Sequence, residues 1–263
     1  MNIVVCIKQV PDSTEVRIDP ETNTLIREGV ASIINPFDMY AIEEAIRLKE
    51  RFGGKTTVIT MGPPQADDAL REALSMGIDE AVHLSDRAFA GSDTWATSLI
   101  LSRAVKKIAQ FDLLVCGKQA SDGDTAQVGP GIAAHLNLPQ ATYVRRIDTV
   151  HLDTSPKIMV VERLVEEGYE ILELQLPALI TVVKEINEPR LPSLRGKMKA
   201  RKEQIPVWTH KDLNLEEDKI GLNGSPTQVV KIFTPPAKQG GKILQGEPKD
   251  IVEELYKEIK DFL

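Results

Sequence analysis

The sequence is short of the features that mark several large classes of protein. Its 263 residues include two cysteines, Cys6 and Cys116, placed far apart. They make neither a disulfide scaffold nor a metal cluster, and they fit a reducing compartment. The apolar runs are of strand length, far short of the roughly 20 residues a membrane span needs. Residues 1–10 have no basic leader or cleavage site and already read as a strand, so no secretory signal is expected. Positive charge is not in excess: 32 Lys and Arg stand against 39 Asp and Glu, a formal net charge of −7. That balance argues against a dedicated nucleic-acid binder. The histidines His83, His135, His151 and His210 are scattered, with no His-Glu-x-x-His and no Cys-x-x-Cys, so no metal site is expected. A Gly-x-Ser-x-Gly elbow is missing too. What remains is a cytoplasmic protein whose 42% hydrophobic residues suffice for a sizeable core.

The apolar pattern predicts an α/β fold, a doubly wound and mostly parallel sheet with antiparallel additions at its edge and an extended C-terminal arm. Residues 2–8 form a continuous apolar run, the mark of a strand covered on both faces. Asn35-Pro36 then opens a helix, with Asn as N-cap and Pro at the first helical position. Ile42, Ala45, Ile46 and the stem of Lys49 make its inner stripe, and Gly53-Gly54 ends it. The unit repeats: strand 55–60, helix 64–76 stopped by Gly77, strand 80–84, helix 92–110, strand 113–116 and helix 127–136. Strands joined by helical crossovers pair most naturally in parallel. After Pro139 the extended runs 141–146, 157–163, 169–176 and 179–184 follow one another closely, which predicts antiparallel edge strands. From Asn187 the chain turns irregular and basic, and a last amphipathic helix lies near 249–263, after Pro235-Pro236 and Gly240-Gly241. The expected division is a nucleotide-binding domain over 1–186, a docking loop and connection over 187–225, and an arm over 226–263 that packs on a partner chain.

In such a sheet ligands bind beyond the carboxyl ends of the strands. The loop after Cys116 is the most unusual stretch: Lys118, Gln119, Ser121, Asp122, Gly123, Asp124, Thr125, Gln127 and Val128 follow Gly117 and run into a helix N-terminus suited to phosphate. It is neither a Walker loop nor Gly-x-Gly-x-x-Gly, and it also reads as an ordinary turn capped by Asp124. A second start, from Gly91 to Thr97, offers Ser92 or Asp93 as a cap and puts Thr94 and Thr97 on one helical face. Asp122 and Asp124 fail the EF-hand spacing, and capping or a ribose contact is the simpler role. Cys6 and Cys116 read as buried thiols. No acid, base or nucleophile stands out, so no catalytic residue is assigned, which suits a carrier whose bound cofactor does the chemistry. Residues 184–202 gather Arg190, Arg195, Lys197, Lys199, Arg201 and Lys202 around Leu191, Leu194 and Met198. This reads as a solvated basic loop or as a docking loop in which apolar anchors give affinity and charges orient the partner. Without stacking aromatics it is a poor nucleic-acid surface.

Taken together these segments resemble the small (β) subunit of the electron-transfer flavoproteins over nearly the whole chain. The matching pieces are Val4-Val5-Cys6-Ile7-Lys8-Gln9-Val10-Pro11-Asp12, Asn35-Pro36-Phe37-Asp38, Met61-Gly62-Pro63, the 117–130 loop, Pro177-Ala178-Leu179-Ile180-Thr181-Val182 and Met198-Lys199-Ala200-Arg201-Lys202. The resemblance implies a heterodimer with a larger α subunit that carries its own FAD. It implies a nucleotide contacting Cys6, Asn35, Asp38, Met61 and 118–128, and an anchor at Leu194, with Arg195, Met198 and Lys199 around it. Arg195-Gly196 departs from many respiratory-type members. In those members the β subunit holds AMP. In the electron-bifurcating members it looks as though FAD sits there, accepts hydride from NADH, and shares electrons between ferredoxin or flavodoxin and the α flavin serving an acyl-CoA or 2-hydroxy-acid dehydrogenase. The wording of 121–130 and of the helix start at Asp93-Thr94 is similar to the bifurcating group, so FAD is expected over AMP. A third reading, an ATP-using or stress-type nucleotide binder, lacks the Ser-Gly-Gly start after the first strand.

Overall fold

The structure is a computed structural model that describes residues 1–12, 32–108, 110–230, 240–260 and 262. Strand β1 (Asn2–Ile7) lies inside a sheet ordered β11-β5-β4-β1-β6-β10-β7-β8-β9. Its partners are β4 (Lys55–Met61) on one side and β6 (Leu113–Gly117) on the other, both parallel. Strand β5 (Glu80–Leu84) continues the sheet beyond β4. Successive residues of a strand face opposite sides. Ile3, Val5 and Ile7 therefore enter one apolar cluster with Ile42 of α1 (Pro36–Phe52) and Leu70 of α2 (Asp67–Met76). Val4 and Cys6 enter the other, with Ile100 of α3 (Thr94–Ile108) and Ile132 of α4 (Val128–Leu136). This is the doubly wound core the strand and helix alternation predicts.

Two local expectations need correction. Asn35 occupies the N-cap position of α1 and Pro36 its first turn, yet the Asn35 side chain makes no bond to its own helix. Its amide is engaged across the site described below. The second concerns the edge. Strand β7 (Gln140–His151), β8 (Ile158–Val165) and β9 (Gly168–Gln175) do run antiparallel to one another. The last run, β10 (Ala178–Val182), is instead an interior strand between β6 and β7, parallel to both. All five of its residues are buried, and only an interior position covers a strand apolar on both faces.

Four elements lie where the sequence shows no regular pattern. Strands β2 (Gln9–Pro11) and β3 (Ser32–Ile34) form a small antiparallel pair. Helix α5 (Leu194–Ala200) crosses α2 so closely that a Cβ on Gly196 would stand 2.1 Å from the carbonyl oxygen of Ser75. Strand β11 (Val207–Trp208) pairs with β5. The terminal helix α6 (Pro248–Ile259) keeps Val252, Leu255, Tyr256 and Ile259 accessible to solvent. The Pro235-Pro236 pair lies outside the described residues. Among the described residues no helix is long and apolar enough to cross a membrane.

Candidate functional site

From β1 the chain moves outward through β4 and β5, then returns to β6 on the other flank of β1. The strand order thus reverses between β1 and β6, the place where open α/β sheets bind ligands. A cavity of about 350 Å³ opens there. Cys6 and Cys116 line it at the ends of β1 and β6, with Met61 from the end of β4 and Leu101 from α3. Three helix N-termini also reach it: α1 through Asn35 and Asp38, α3 through Ser92, Asp93, Thr94 and Thr97, and α4 through Gln127, Val128 and Gly129. Helix N-termini carry positive partial charge and unpaired N–H groups, so their convergence favours an anion.

Buried polar side chains hold this arrangement. Asn35 donates through Nδ2 to the Gln119 carbonyl at 2.8 Å and accepts the Ser121 N–H through Oδ1 at 3.0 Å. One amide thereby clamps the loop leaving β6 to the start of α1. Asp38 accepts the Lys8 N–H at 2.7 Å, fixing the turn leaving β1. A Cβ on Gly117 would lie 2.3 Å from Asp38 Oδ1, so this close approach requires glycine. Burial pushes the Asp38 carboxyl up to about 7, although the Asn35 amide and the N–H groups of Lys8 and Gly117 work against it. Asp93 caps α3, accepting the N–H groups of Trp95 and Ala96 at 2.9 and 3.0 Å. Its other oxygen takes the Thr227 N–H at 3.0 Å and hydroxyl at 2.8 Å. Burial raises the Asp93 carboxyl less than these donors lower it, so it stays below its ordinary range.

The loop itself is irregular. Asp124 and Ala126 have φ of 51° and 53°, in the left-handed region that residues with a Cβ seldom adopt. Asp124 does not cap α4 as expected: the cap position is Gln127, and the Asp124 carboxylate accepts from the Gln119 side-chain amide. Lys118 donates its N–H to Val182 at 2.9 Å, and its ammonium stands 5.1 Å from the Tyr143 ring and 5.7 Å from Phe37. The two rings steady a cation at the cavity wall. Lys8 reaches over to Asp122 in an ion pair of 2.5 and 2.7 Å.

Of the residues singled out in the sequence, Cys6, Asn35, Asp38, Met61, Thr94, Thr97, Lys118, Gln119, Thr125, Gln127 and Val128 line the cavity. Ser121, Asp122, Gly123 and Asp124 do not; they form the outer part of the loop. Lys8, Ser92, Asp93 and Cys116 also line it, beyond the residues the sequence assigns to it. The register offered a signal for Cys116, since two strands that run in parallel across the switch end side by side. Leu194, Arg195, Met198 and Lys199 lie together on α5, whose start is capped by Ser193 accepting the Gly196 N–H at 2.9 Å. Leu194 is 78% exposed and Met198 59%. Behind them Arg190 binds Glu43 at 2.8 Å and Glu50 at 2.6 Å, tying this segment to α1.

The model of the electron transfer flavoprotein domain matches residues 22–213. Among similar proteins, an electron transfer flavoprotein subunit beta of Thermoanaerobacterium thermosaccharolyticum is 54% identical over 260 residues, covering 98% of both chains. The caffeyl-CoA reductase-Etf complex subunit CarD of Acetobacterium woodii is 50% identical, over 99% of this chain and 98% of that one. Protein FixA of Azotobacter vinelandii is 49% identical, over 96% and 92% respectively.

Proposed function

This chain belongs to the electron transfer flavoprotein family as a homologue of its β subunits, and from that membership we propose that it holds FAD at the switch-point cavity and works in the cytoplasm as the bifurcating half of a heterodimer. The observation that carries the reading is the meeting of three helix N-termini around one cavity, with Lys118 at its wall. A single phosphate is served by one such terminus, whereas a pyrophosphate calls for more donors, and α3 and α4 together supply them. Gly117 and Gly129 let the starts of α1 and α4 approach the strand ends closely: a Cβ on Gly117 would lie 2.3 Å from Asp38 Oδ1, and one on Gly129 2.6 Å from Thr181 Cγ2. Thr94, Thr97 and Thr125 add hydroxyl groups, and Lys118 adds charge. FAD held there would supply hydride acceptance from NADH and delivery of single electrons.

The residues of this chain bind and orient; no side chain is assigned as acid, base or nucleophile. Asn35 and Asp38 fix the loops around the nucleotide end, and the remainder of the cofactor is left to lie against an α subunit. With the cofactor bound, electrons would divide between ferredoxin or flavodoxin and the α-subunit FAD, which would serve a dehydrogenase docked at Leu194 and Met198. A relative named as part of a caffeyl-CoA reductase complex favours a CoA-thioester dehydrogenase over one for 2-hydroxy acids. The accessible apolar side of α6 is assigned to the α subunit.

Co-production with the α chain, followed by extraction and chromatography of the bound nucleotides, tests the reading. Two FAD per heterodimer are expected, with NADH bleaching the flavin colour in the absence of any dehydrogenase. One FAD and one AMP per heterodimer would overturn it.

A further inference from the structure

The cavity contains a pair of thiols whose reactivity nucleotide binding does not use. Cys6 and Cys116 are direct partners in the parallel register of β1 and β6. Neighbouring strands lie about 4.8 Å apart, and partnered residues point to the same face of a sheet. Both cysteines accordingly enter the apolar cluster under α3 and α4, and both line the cavity. They are 7% and 6% exposed, and they are the whole cysteine content of the chain. Every thiol of the molecule thus lies in one place, side by side, on the floor of an open pocket.

We propose that Cys6 and Cys116 form a vicinal dithiol site for trivalent arsenicals, and that its occupation excludes nucleotide from the cavity. With phenylarsine oxide as the probe, two As–S bonds form and two S–H bonds break. The two protons leave with the arsenic-bound oxygen as one water, and arsenic remains trivalent. Soft sulfur ligands suit such a centre, and once the first As–S bond exists the second closes within the same molecule at high effective concentration. The neighbouring Cys116 thiol and then burial push the Cys6 thiol well above its ordinary range, so little thiolate is present at neutral pH. Single-thiol alkylation is therefore slow, and chelation by the pair is favoured over attack at either sulfur alone. Exclusion of nucleotide rests on the proposed function; the dithiol site itself does not.

The test uses the full chain, reduced and desalted without oxygen, and intact mass spectrometry. One phenylarsenic adduct per chain is expected, resisting a large excess of 2-mercaptoethanol and removed by 2,3-dimercaptopropanol. Peptide mapping should show both cysteines blocked together. Cys6→Ala and Cys116→Ala should each abolish the resistant adduct. The absence of a resistant adduct on the native chain, or its persistence in either variant, would overturn the site. With FAD or AMP at about ten times its dissociation constant, the labelling rate should fall about tenfold, following the free fraction of the cavity. Labelling at an unchanged rate under saturating nucleotide would overturn the exclusion while leaving the dithiol in place.

Discussion

The switch-point cavity and the α5 segment use the same kinds of residue in opposite ways. In the cavity, polar side chains are buried: Asn35 is 1% exposed and Asp38 5%, and both bind backbone groups of neighbouring loops. In the α5 segment, apolar side chains face solvent, while Arg190 and its carboxylate partners hold the segment from behind. Position decides the role in each case. A buried amide at a crossing of loops is structural even where it lines a pocket, and an exposed leucine on an anchored turn adds little to folding. The two regions should therefore respond oppositely to mutation, the first through stability and occupancy together, the second through partner coupling alone.

The sharpest way to break the comparison is Asn35→Leu. It leaves the Gln119 carbonyl and the Ser121 N–H without their partner at a partly buried crossing. A buried group left this way costs about 1–3 kcal/mol, so a loss of about 2 kcal/mol is expected for the pair. For a chain of this size the thermal midpoint should fall by on the order of 10 °C. Nucleotide content should fall with it, because the 118–127 loop loses its tie to α1. A variant with parental midpoint and full occupancy would show that the clamp is not what shapes the cavity.

Asp38 gives a finer test of the same side. Its carboxyl is raised from about 3.8 to about 7 by burial. The folded state therefore binds the proton more tightly than the unfolded chain does. The contribution of Asp38 to stability is greatest at acid pH and declines as pH rises from about 4 to about 7, after which the cost is constant. The difference corresponds to at most about 4 kcal/mol. Asp38→Asn carries no such titration, so its stability relative to the parent should improve across that window and level off above it. Parallel pH profiles for the two proteins would remove the assignment.

The α/β fold was legible because its signals are local and repeated. Alternating apolar strands and amphipathic helices bounded by Gly53, Gly77 and Pro36 announce themselves within a few residues. The loop after Cys116 was legible by its composition. Other features depend on contacts distant in sequence. That β10 enters the sheet beside β6 follows from what its two faces touch, and the run 178–182 also satisfies the rules for an edge hairpin. Lys8 and Asp93 looked like a strand end and a cap, and they reach the cavity only because the strand order reverses between β1 and β6. Asn35 shows the limit of local rules: it holds the N-cap position, and tertiary structure gives its amide other partners. The short helix α5 owes its form to Ser193 and to the close approach of Gly196 to α2, neither of which has a periodic signature.

The other side of the comparison is tested by Leu194→Ala. Leu194 is 78% exposed, so the change removes almost no buried surface. Surface substitutions of this kind usually alter stability by no more than about 0.5 kcal/mol. The N-cap from Ser193 and the ion pairs of Arg190 do not involve the leucine side chain, so the backbone of α5 should keep its place. Thermal midpoint, nucleotide content and reduction by NADH should match the parent, while electron delivery to the dehydrogenase weakens. The readout is the dependence of the delivery rate on dehydrogenase concentration: a lost anchor shifts the half-saturating concentration upward, because truncation of a central apolar anchor acts mainly on binding. A drop in the maximal rate with unchanged half-saturation would instead mean that Leu194 orients the bound complex for transfer. Delivery equal to the parent at every concentration would show that the apolar residues of α5 are exposed for no partner, and the contrast between the two regions would lose its functional half.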